Sequence, residues 1–144
     1  MSETQTIAQW IYSTLKSGTA LCSLIGGTAN PRIYADVAPE SVTKPYVVFQ
    51  NVWARDLNAA STHRAATETE WSVFAVAASE SYSVPNSIYA LCDGLLHGAA
   101  GSVPSSGMCV SCRRTEEIRY THVQDGKMWR FAGGMYRIII NTGG

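Results

Sequence analysis

The sequence predicts a single α+β domain, a mostly antiparallel β-sheet of about four strands with two main helices packed on one face. Apolar residues recur at helical spacing in segments 3–17 and 83–98. Four longer stretches are rich in β-branched and aromatic residues. Asp125–Gly126 lies between the last two of these stretches, as expected of a tight hairpin.

The N-terminal helix is predicted from two capping-box patterns, Ser2-x-x-Gln5 and Thr6-x-x-Gln9. The apolar residues that follow keep helical spacing until Gly18, and they are Ile7, Trp10, Ile11 and Leu15. A short second helix is predicted from Thr19 to the paired glycines at 26–27.

The other main helix is predicted in the segment SVPNSIYALCDGLLHG, with Ser83 as its N-cap and Gly98 at its end. Its apolar stripe consists of Ile88, Leu91, Cys92, Leu95 and Leu96. Asp93 and His97 lie opposite this stripe, one helical turn apart. We interpret them as a solvated ion pair rather than as a catalytic or metal-binding pair.

The strands are predicted from runs of apolar and β-favouring residues at 32–34, 46–57, 69–79, 108–123 and 129–142. In the first long strand, alternation places Tyr46, Val48 and Val52 on one face and Val47, Phe49 and Trp53 on the other. Both sets are apolar, but two helices can cover only one face of a sheet. The remaining apolar face or edge predicts self-association.

The polar segments 58–68 and 99–107 are predicted as connections rather than as strands. Around the first of them, Arg55, Asp56, His63 and Arg64 are candidates for contact with a partner protein or with passing DNA, and a plain solvated loop is the alternative. The glycine pair 133–134 inside the last strand predicts either a bulge or a close approach of another chain segment.

Charge and hydropathy exclude several classes of function. The chain has 144 residues, of which 11 are basic and 11 acidic, so it lacks the basic surface typical of a nucleic-acid-binding protein. No apolar run approaches the roughly 18 residues that a membrane span needs, and the polar N-terminus is unlike a signal peptide. We therefore expect a product of the cytosol that contacts no membrane.

The cysteines are Cys22, Cys92, Cys109 and Cys112, and they are expected to be reduced thiols. The pair CVSC at 109–112 lies in a predicted strand, where residues three apart point to opposite faces, and no second pair completes a zinc site. No serine, cysteine or carboxylate has a recognisable catalytic setting. The sequence thus predicts neither an enzyme nor a bound cofactor or metal.

The segment CRRTEE carries two arginines that alternation sends to opposite faces of the strand. Arg113 and Arg114 are followed at once by Glu116 and Glu117, which makes a nucleic-acid patch unfavourable. This pattern favours cross-strand pairs or salt bridges at an interface.

The order of these segments resembles the tail-completion and tail-terminator proteins of long-tailed bacteriophages, a family of small head–tail joining proteins. The resemblance rests on LIGG followed by RIY, PYVVFQNV after a proline-rich loop, TEWSVFAVAASESYS, the helix leading to GLL, and the terminal YRIII. It covers nearly the whole chain and implies a single tail-terminator-like domain over 1–144. The CVSC pair and the bulky residues 129–131 are not features of the family pattern.

The resemblance implies a structural virion protein that forms a hexameric ring at the head-proximal end of the tail tube. Such a ring stops tube polymerisation, contacts the tube protein and the head–tail connector or neck proteins, and lets DNA pass through its lumen. The expected location is the tail or neck of a virion assembled in the host cytoplasm. A head-side completion protein is the alternative, and a metal-binding or redox module that uses the CxxC pair is a more remote one. Candidate subunit-interface residues are Tyr46, Val48, Phe49, Trp53, Arg113, Arg114, Glu116 and Glu117.

Overall fold

A computed structural model describes residues 2–39, 45–58, 64–79, 81–102, 109–124 and 126–141. The helices are α1 (Glu3–Lys16), α2 (Thr19–Leu24) and α3 (Ser83–Leu96). The strands are β1 (Ile33–Ala35), β2 (Tyr46–Asn58), β3 (Arg64–Ala77), β4 (Ala100–Ser102), β5 (Cys109–Gln124) and β6 (Lys127–Asn141). They form one sheet in the order β1-β2-β3-β6-β5-β4, in which the β1–β2 pair is parallel and the other pairs described are antiparallel. The α+β prediction is confirmed. The sheet has six strands rather than about four, because the short strand predicted at 32–34 pairs at one edge as β1 and the unpredicted β4 pairs at the other.

The start of α1 is the predicted capping box at Ser2. The Gln5 N–H donates to Ser2 Oγ at 3.2 Å, and the Ser2 N–H donates to Gln5 Oε1 at 3.0 Å. These two bonds satisfy backbone donors that have no partner within the helix. The first of the two predicted capping patterns is therefore the one that begins the helix.

The start of α3 differs from the prediction. Its N-cap is Tyr82, and Ser83 is already the first helical residue. The Ser83 hydroxyl is hydrogen-bonded to Ser81 Oγ at 2.9 Å, so it does not cap the helix. The predicted end is confirmed, because Gly98 adopts a φ of 75°, which a residue without a Cβ adopts at little cost.

The hydrophobic core lies between the helices and one face of the sheet, which we call the helix face. Strand side chains of this core are Val47, Phe49, Trp71, Val73, Ala75, Val110, Cys112, Ala132, Tyr136, Ile138 and Ile140. From the helices come Ile7, Ile11, Leu15, Leu21, Ile88, Tyr89, Cys92 and Leu96. Each large aliphatic side chain buried here contributes about 1.5–3 kcal/mol of hydrophobic stabilisation. This burial holds the helices on one face of the sheet.

A β-bulge in β2 changes the predicted facing of its residues. The register with β3 shifts between Asn51 and Trp53, which leaves Val52 as the extra residue with 51% of its surface exposed. The alternation restarts after the bulge. Trp53 therefore shares a face with Tyr46 and Val48 instead of lying with Phe49, and this part of the prediction was wrong.

The predicted connection at 58–68 is also too long. Strand β2 continues to Asn58 and β3 begins at Arg64, so Arg55, Asp56 and Arg64 lie in strands. His63 and the other residues of 59–63 lie outside the described part of the chain. Cross-strand pairing explains the extension, because Arg55 Nη2 lies 2.8 Å from Glu68 Oε2. Strand β4 likewise occupies part of the predicted connector 99–107.

The glycine pair in β6 marks a close approach, the second of the two predicted alternatives. A Cβ at Gly133 would collide with the Val73 carbonyl oxygen and the Phe74 ring. A Cβ at Gly134 would collide with the hydroxyl of Tyr89 from α3. The two glycines let side chains lie directly on the strand backbone, one on each face of the sheet.

Candidate assembly surface

The sheet face opposite the helices, which we call the open face, has no helix packed on it among the described residues. Its side chains come from the residues that alternate with the core set in the strand register. At the end of the sheet near the start of β2 they form an aromatic patch, which consists of Tyr34, Tyr46, Phe74, Tyr120 and Phe131. The second apolar face predicted from the sequence thus exists and is aromatic.

The aromatic patch is held together by ring contacts. Tyr120 stacks on Phe131 with centroids 4.4 Å apart, and Phe74 meets these two rings edge-on at 5.6 and 6.2 Å. Phe74 lies opposite Gly133, where the missing side chain leaves space for its ring. Tyr46 is buried, but 44% of Tyr120 remains exposed. The rings therefore cover one another in part and leave an apolar surface at the β5 side.

The other end of the open face carries a charged cluster, which consists of Trp53, Arg55, Glu68, Glu70 and Arg137. The Glu68 side chain is only 7% exposed and lies 2.8 Å from Arg55 Nη2 and 3.1 Å from Arg137 Nε. The Trp53 ring has both guanidinium groups near it, at 5.5 and 5.8 Å, and its Nε1–H donates to Glu70 Oε2 at 2.6 Å. Two cations thus compensate a buried carboxylate, an arrangement that fixes the β2–β3 hairpin against β6.

A polar network joins α3 to the helix face of β5 and β6. The Tyr136 hydroxyl donates to Asp93 Oδ1 at 2.6 Å and is hydrogen-bonded to the Tyr89 hydroxyl at 2.9 Å. Arg114 Nη1 lies 3.3 Å from Asp93 Oδ2, and the Arg114 backbone N–H donates to His97 Nδ1 at 2.9 Å. Burial raises the pKa of both tyrosines, and the bond to Asp93 adds to the rise at Tyr136.

This network corrects the interpretation of Asp93 and His97. Both side chains turn to β5 and bind Arg114, one through its guanidinium and the other through its backbone. The predicted solvated pair was wrong because α3 lies over β5 and β6, which offer closer partners. Tyr89 was missed by the stripe analysis, since the space it occupies is created by Gly134 on another element.

The two adjacent arginines of β5 lie on opposite faces of the sheet, as predicted. Arg113 is opposite Arg137 on the open face, whereas Arg114 is opposite Tyr136 on the helix face. Arg114 lies 3.9 Å from Glu117, which also binds Arg119 at 2.8 Å. The side chain hydrogen bond from Arg119 lowers the pKa of Glu117.

The sheet has long strand edges on both sides. Strand β1 pairs with β2 at residues 47–49, and β4 pairs with β5 at 109–111. Within the described residues no strand pairs with the outer side of β2 at 50–58, the β2 edge, or with the outer side of β5 at 113–124, the β5 edge. Such edges present main-chain groups that can bind another strand.

The described thiols are buried, free and poorly suited to chemistry. Burial raises the pKa of Cys92 and of Cys112 to about 12, and Asp93 adds to both shifts. Burial also raises the pKa of Cys22. The Cys109 side chain lies outside the described set, so the predicted divergence of the CxxC pair is tested only at Cys112, which points into the core. Among the described residues no three metal-ligand side chains cluster.

Replacing Cys112 by valine is expected to change the free energy of unfolding by less than about 1 kcal/mol, because valine has a similar volume in an apolar site. Cys112→Ser should cost about 1–3 kcal/mol, since it buries a hydroxyl there. Urea denaturation measures both values. A larger loss for valine than for serine would contradict a packing role for this thiol.

Among the described residues, the helices cover one face of the sheet and leave the other face and long stretches of both edges uncovered. The chain belongs to the tail completion protein gp17 family, whose model matches residues 9–132. It is accordingly a structural protein of a phage tail or neck. None of the described helices is both long and apolar enough to cross a membrane.

Solved structures share the fold. A chain from the virion of a native gene transfer agent particle is 16% identical and superposes with a TM-score of 0.68, and the match covers 91% of each chain. A second solved protein is 12% identical with a TM-score of 0.53, over 90% of this chain and 94% of that one. No functionally curated protein matches the sequence.

Proposed function

We propose that this protein forms a hexameric ring at the head-proximal end of the tail tube, where it stops tube polymerisation and provides the surface for head–tail joining. The observation that carries the proposal is the family match over residues 9–132. The similarity to a chain of a gene transfer agent virion supports it, because that chain is part of an assembled particle. We propose that residues 1–144 act as one such unit.

A ring requires a heterologous interface, in which one surface of each subunit meets a different surface of the next. The two unlike edges of the sheet and the open face meet this requirement. Of the predicted interface residues, Val48, Trp53, Arg113, Glu116 and Glu117 are at least partly exposed and enter the proposed interface, as does the partly exposed Arg114. Phe49 packs against Trp71 in the core and Tyr46 is buried, so these two residues support the surface from within.

The proposed partners are the tail tube protein at one rim of the ring and the connector or neck proteins at the other, with DNA passing through the lumen. The far end of the β2–β3 hairpin, with Arg55, Asp56, His63 and Arg64, is our candidate for one of these contacts. Its described residues, 55–58 and 64–68, are paired strands rather than part of the long loop predicted from the sequence. We place the protein in the virion tail, after assembly in the host cytoplasm.

The test is deletion of the gene from the phage, followed by electron microscopy of the lysate. We expect overgrown tail tubes without heads, together with DNA-filled heads, and a plasmid copy should restore normal particles. Tails of normal length that attach to heads would overturn the proposal. Tails of normal length with unattached heads would instead assign the protein to the head side.

A further inference from the structure

We propose that neighbouring copies join by main-chain pairing, in which residues 53–58 of the β2 edge lie antiparallel to residues 117–122 of the next copy's β5 edge. The inference rests on the proposed ring and deepens it, since it names the subunit contact. Both segments lie just past a β-bulge, at Val52 in β2 and between Arg114 and Glu116 in β5. Residues 53–57 keep one register with β3 up to a second shift between Leu57 and Asn58, so the pairing uses the regular part of the β5 edge and nearly all of the regular part of the β2 edge.

Strand directions within one copy determine the polarity of this contact. Along the sheet, β2, β3, β6 and β5 alternate in direction because each adjacent pair is antiparallel. In a head-to-tail ring the next copy's β2 has the direction of the first copy's β2, which is opposite to β5. The contact thus continues the alternation and is antiparallel, the arrangement with well-aligned hydrogen bonds.

The main-chain groups that point outward follow from the existing edge contacts. The Val47 N–H donates to the Arg32 carbonyl of the β1 side, and the Cys112 N–H donates to the Ala99 carbonyl of the β4 side. Along an edge strand, the N–H and C=O groups of every second residue point outward, away from the sheet. Each bulge moves this alternation by one residue. They are therefore at Ala54 and Asp56 in β2, and at Glu117, Arg119 and Thr121 in β5.

The neighbouring strand β1 selects the register. Strand β1 occupies the edge of β2 up to Phe49, so the end of β5 at Gln124 cannot extend past Gln50 of the next copy. The longest register that satisfies this limit and pairs outward residues places Asp56 opposite Arg119. A shift of two residues that lengthens the overlap would set Val123 against Phe49 and Gln124 against Val48, where β1 already pairs with β2.

Side chains agree with this register. Asp56 and Arg119 are opposite charges facing each other across the contact, whereas the shifted register would set Asp56 against Glu117. On the open face Leu57 lies opposite Ile118, and both are partly exposed apolar residues. Arg55, whose side chain is 64% exposed, comes opposite the exposed Tyr120 ring, a cation–π arrangement.

The register also determines how the ring closes. Within one copy Trp53 is opposite Glu70 of β3, and Glu70 is opposite Arg137 of β6. Arg137 is in turn opposite Arg113 of β5, so Trp53 and Arg113 lie at the same height along the strands. Pairing Trp53 with His122 shifts the next copy by about 26 Å parallel to the strands. The same step from copy to copy crosses four strands, which is about 19 Å perpendicular to them. Strands inclined by about 55° to the ring axis convert this displacement into a closed ring, whereas strands parallel to the axis would give a filament.

The experiment is disulfide crosslinking between copies in tails from a phage that is complemented by variants of this protein. All variants carry Cys109→Ser and are assembled under reducing conditions, and the tails are then mildly oxidised. The double variant Leu57→Cys/Ile118→Cys should give covalent ladders of up to six chains on a non-reducing gel. These positions form a non-hydrogen-bonded pair in the proposed register, where the Cα separation suits a disulfide.

Two controls test the geometry of the contact. A mixture of the two single variants should give dimers and no longer ladder, since each copy then offers one thiol at a heterologous contact. The double variant Leu57→Cys/Glu116→Cys reports the shifted register and should crosslink at least tenfold less. Thermal melting of the reduced variants checks that each folds like the parent.

The outcomes separate the two proposals. Six-fold rings on the tails without crosslinks in the 57/118 variant would overturn edge pairing and leave the ring intact. Crosslinks from a single variant alone would also overturn it, because they show a symmetric contact between identical edges. Absence of the protein from purified tails would overturn the proposed function itself.

Discussion

Replacing Gly134 by alanine should lower the free energy of unfolding by about 3 kcal/mol, and valine there should prevent folding. A Cβ at this position collides with the Tyr89 hydroxyl, which is hydrogen-bonded to Tyr136 at 2.9 Å. It would also lie 2.7 Å from the Glu116 carbonyl oxygen of the neighbouring strand. Backbone on one side and a bonded hydroxyl on the other leave no direction in which the methyl group can be accommodated. Urea denaturation of the purified protein measures the loss.

The matched control is Gly94→Ala in α3, where a Cβ meets no atom within 4 Å. That change should stabilise the protein by about 0.5–1 kcal/mol, because alanine favours a helix interior. Adding Tyr89→Phe to Gly134→Ala should recover part of the lost stability, since it removes the colliding oxygen. If Gly134→Ala melted within 1 kcal/mol of the parent, the close packing of α3 on β6 would be wrong.

The fold class followed from local patterns that the structure retains. The capping box at Ser2, the glycine at 98 and the pairing of Gln124 with Lys127 each depend on neighbours in sequence. Features decided by distant residues were not predicted. The bulge at Val52 carries no glycine or proline signal, and yet it moves Trp53 to the other face of the sheet.

The sequence predicted that the sheet has a second apolar face, but not which residues form it. An uncovered apolar face was expected from the double-faced pattern of β2, and the structure shows it as an aromatic patch beside a charged cluster. The length of the β2–β3 hairpin was missed because its polar residues pair with each other. Glu68 has an ordinary polar setting in the sequence, and only the tertiary structure brings Arg55 and Arg137 to it.

Replacing Ala54 by proline should leave the subunit folded while abolishing assembly. The Ala54 N–H points away from β3, so its loss removes no bond of the existing sheet, and proline is tolerated at such edge positions. The same N–H is one of the donors that the proposed contact gives to the next copy. We expect a thermal midpoint within a few degrees of the parent, and a loss of infectivity of at least a hundredfold in complementation.

Two further substitutions, at positions 54 and 55, are the controls for Ala54→Pro. Arg55→Pro, one position further on, removes an N–H that the same alternation directs to β3 and should destabilise the fold itself. Ala54→Val keeps the donor and favours an extended strand, so it should assemble and support infection normally. Normal tails from Ala54→Pro would show that the β2 edge does not pair. Equal loss of infectivity from Ala54→Val would show that the side chain at this edge, rather than its hydrogen bond, controls the contact.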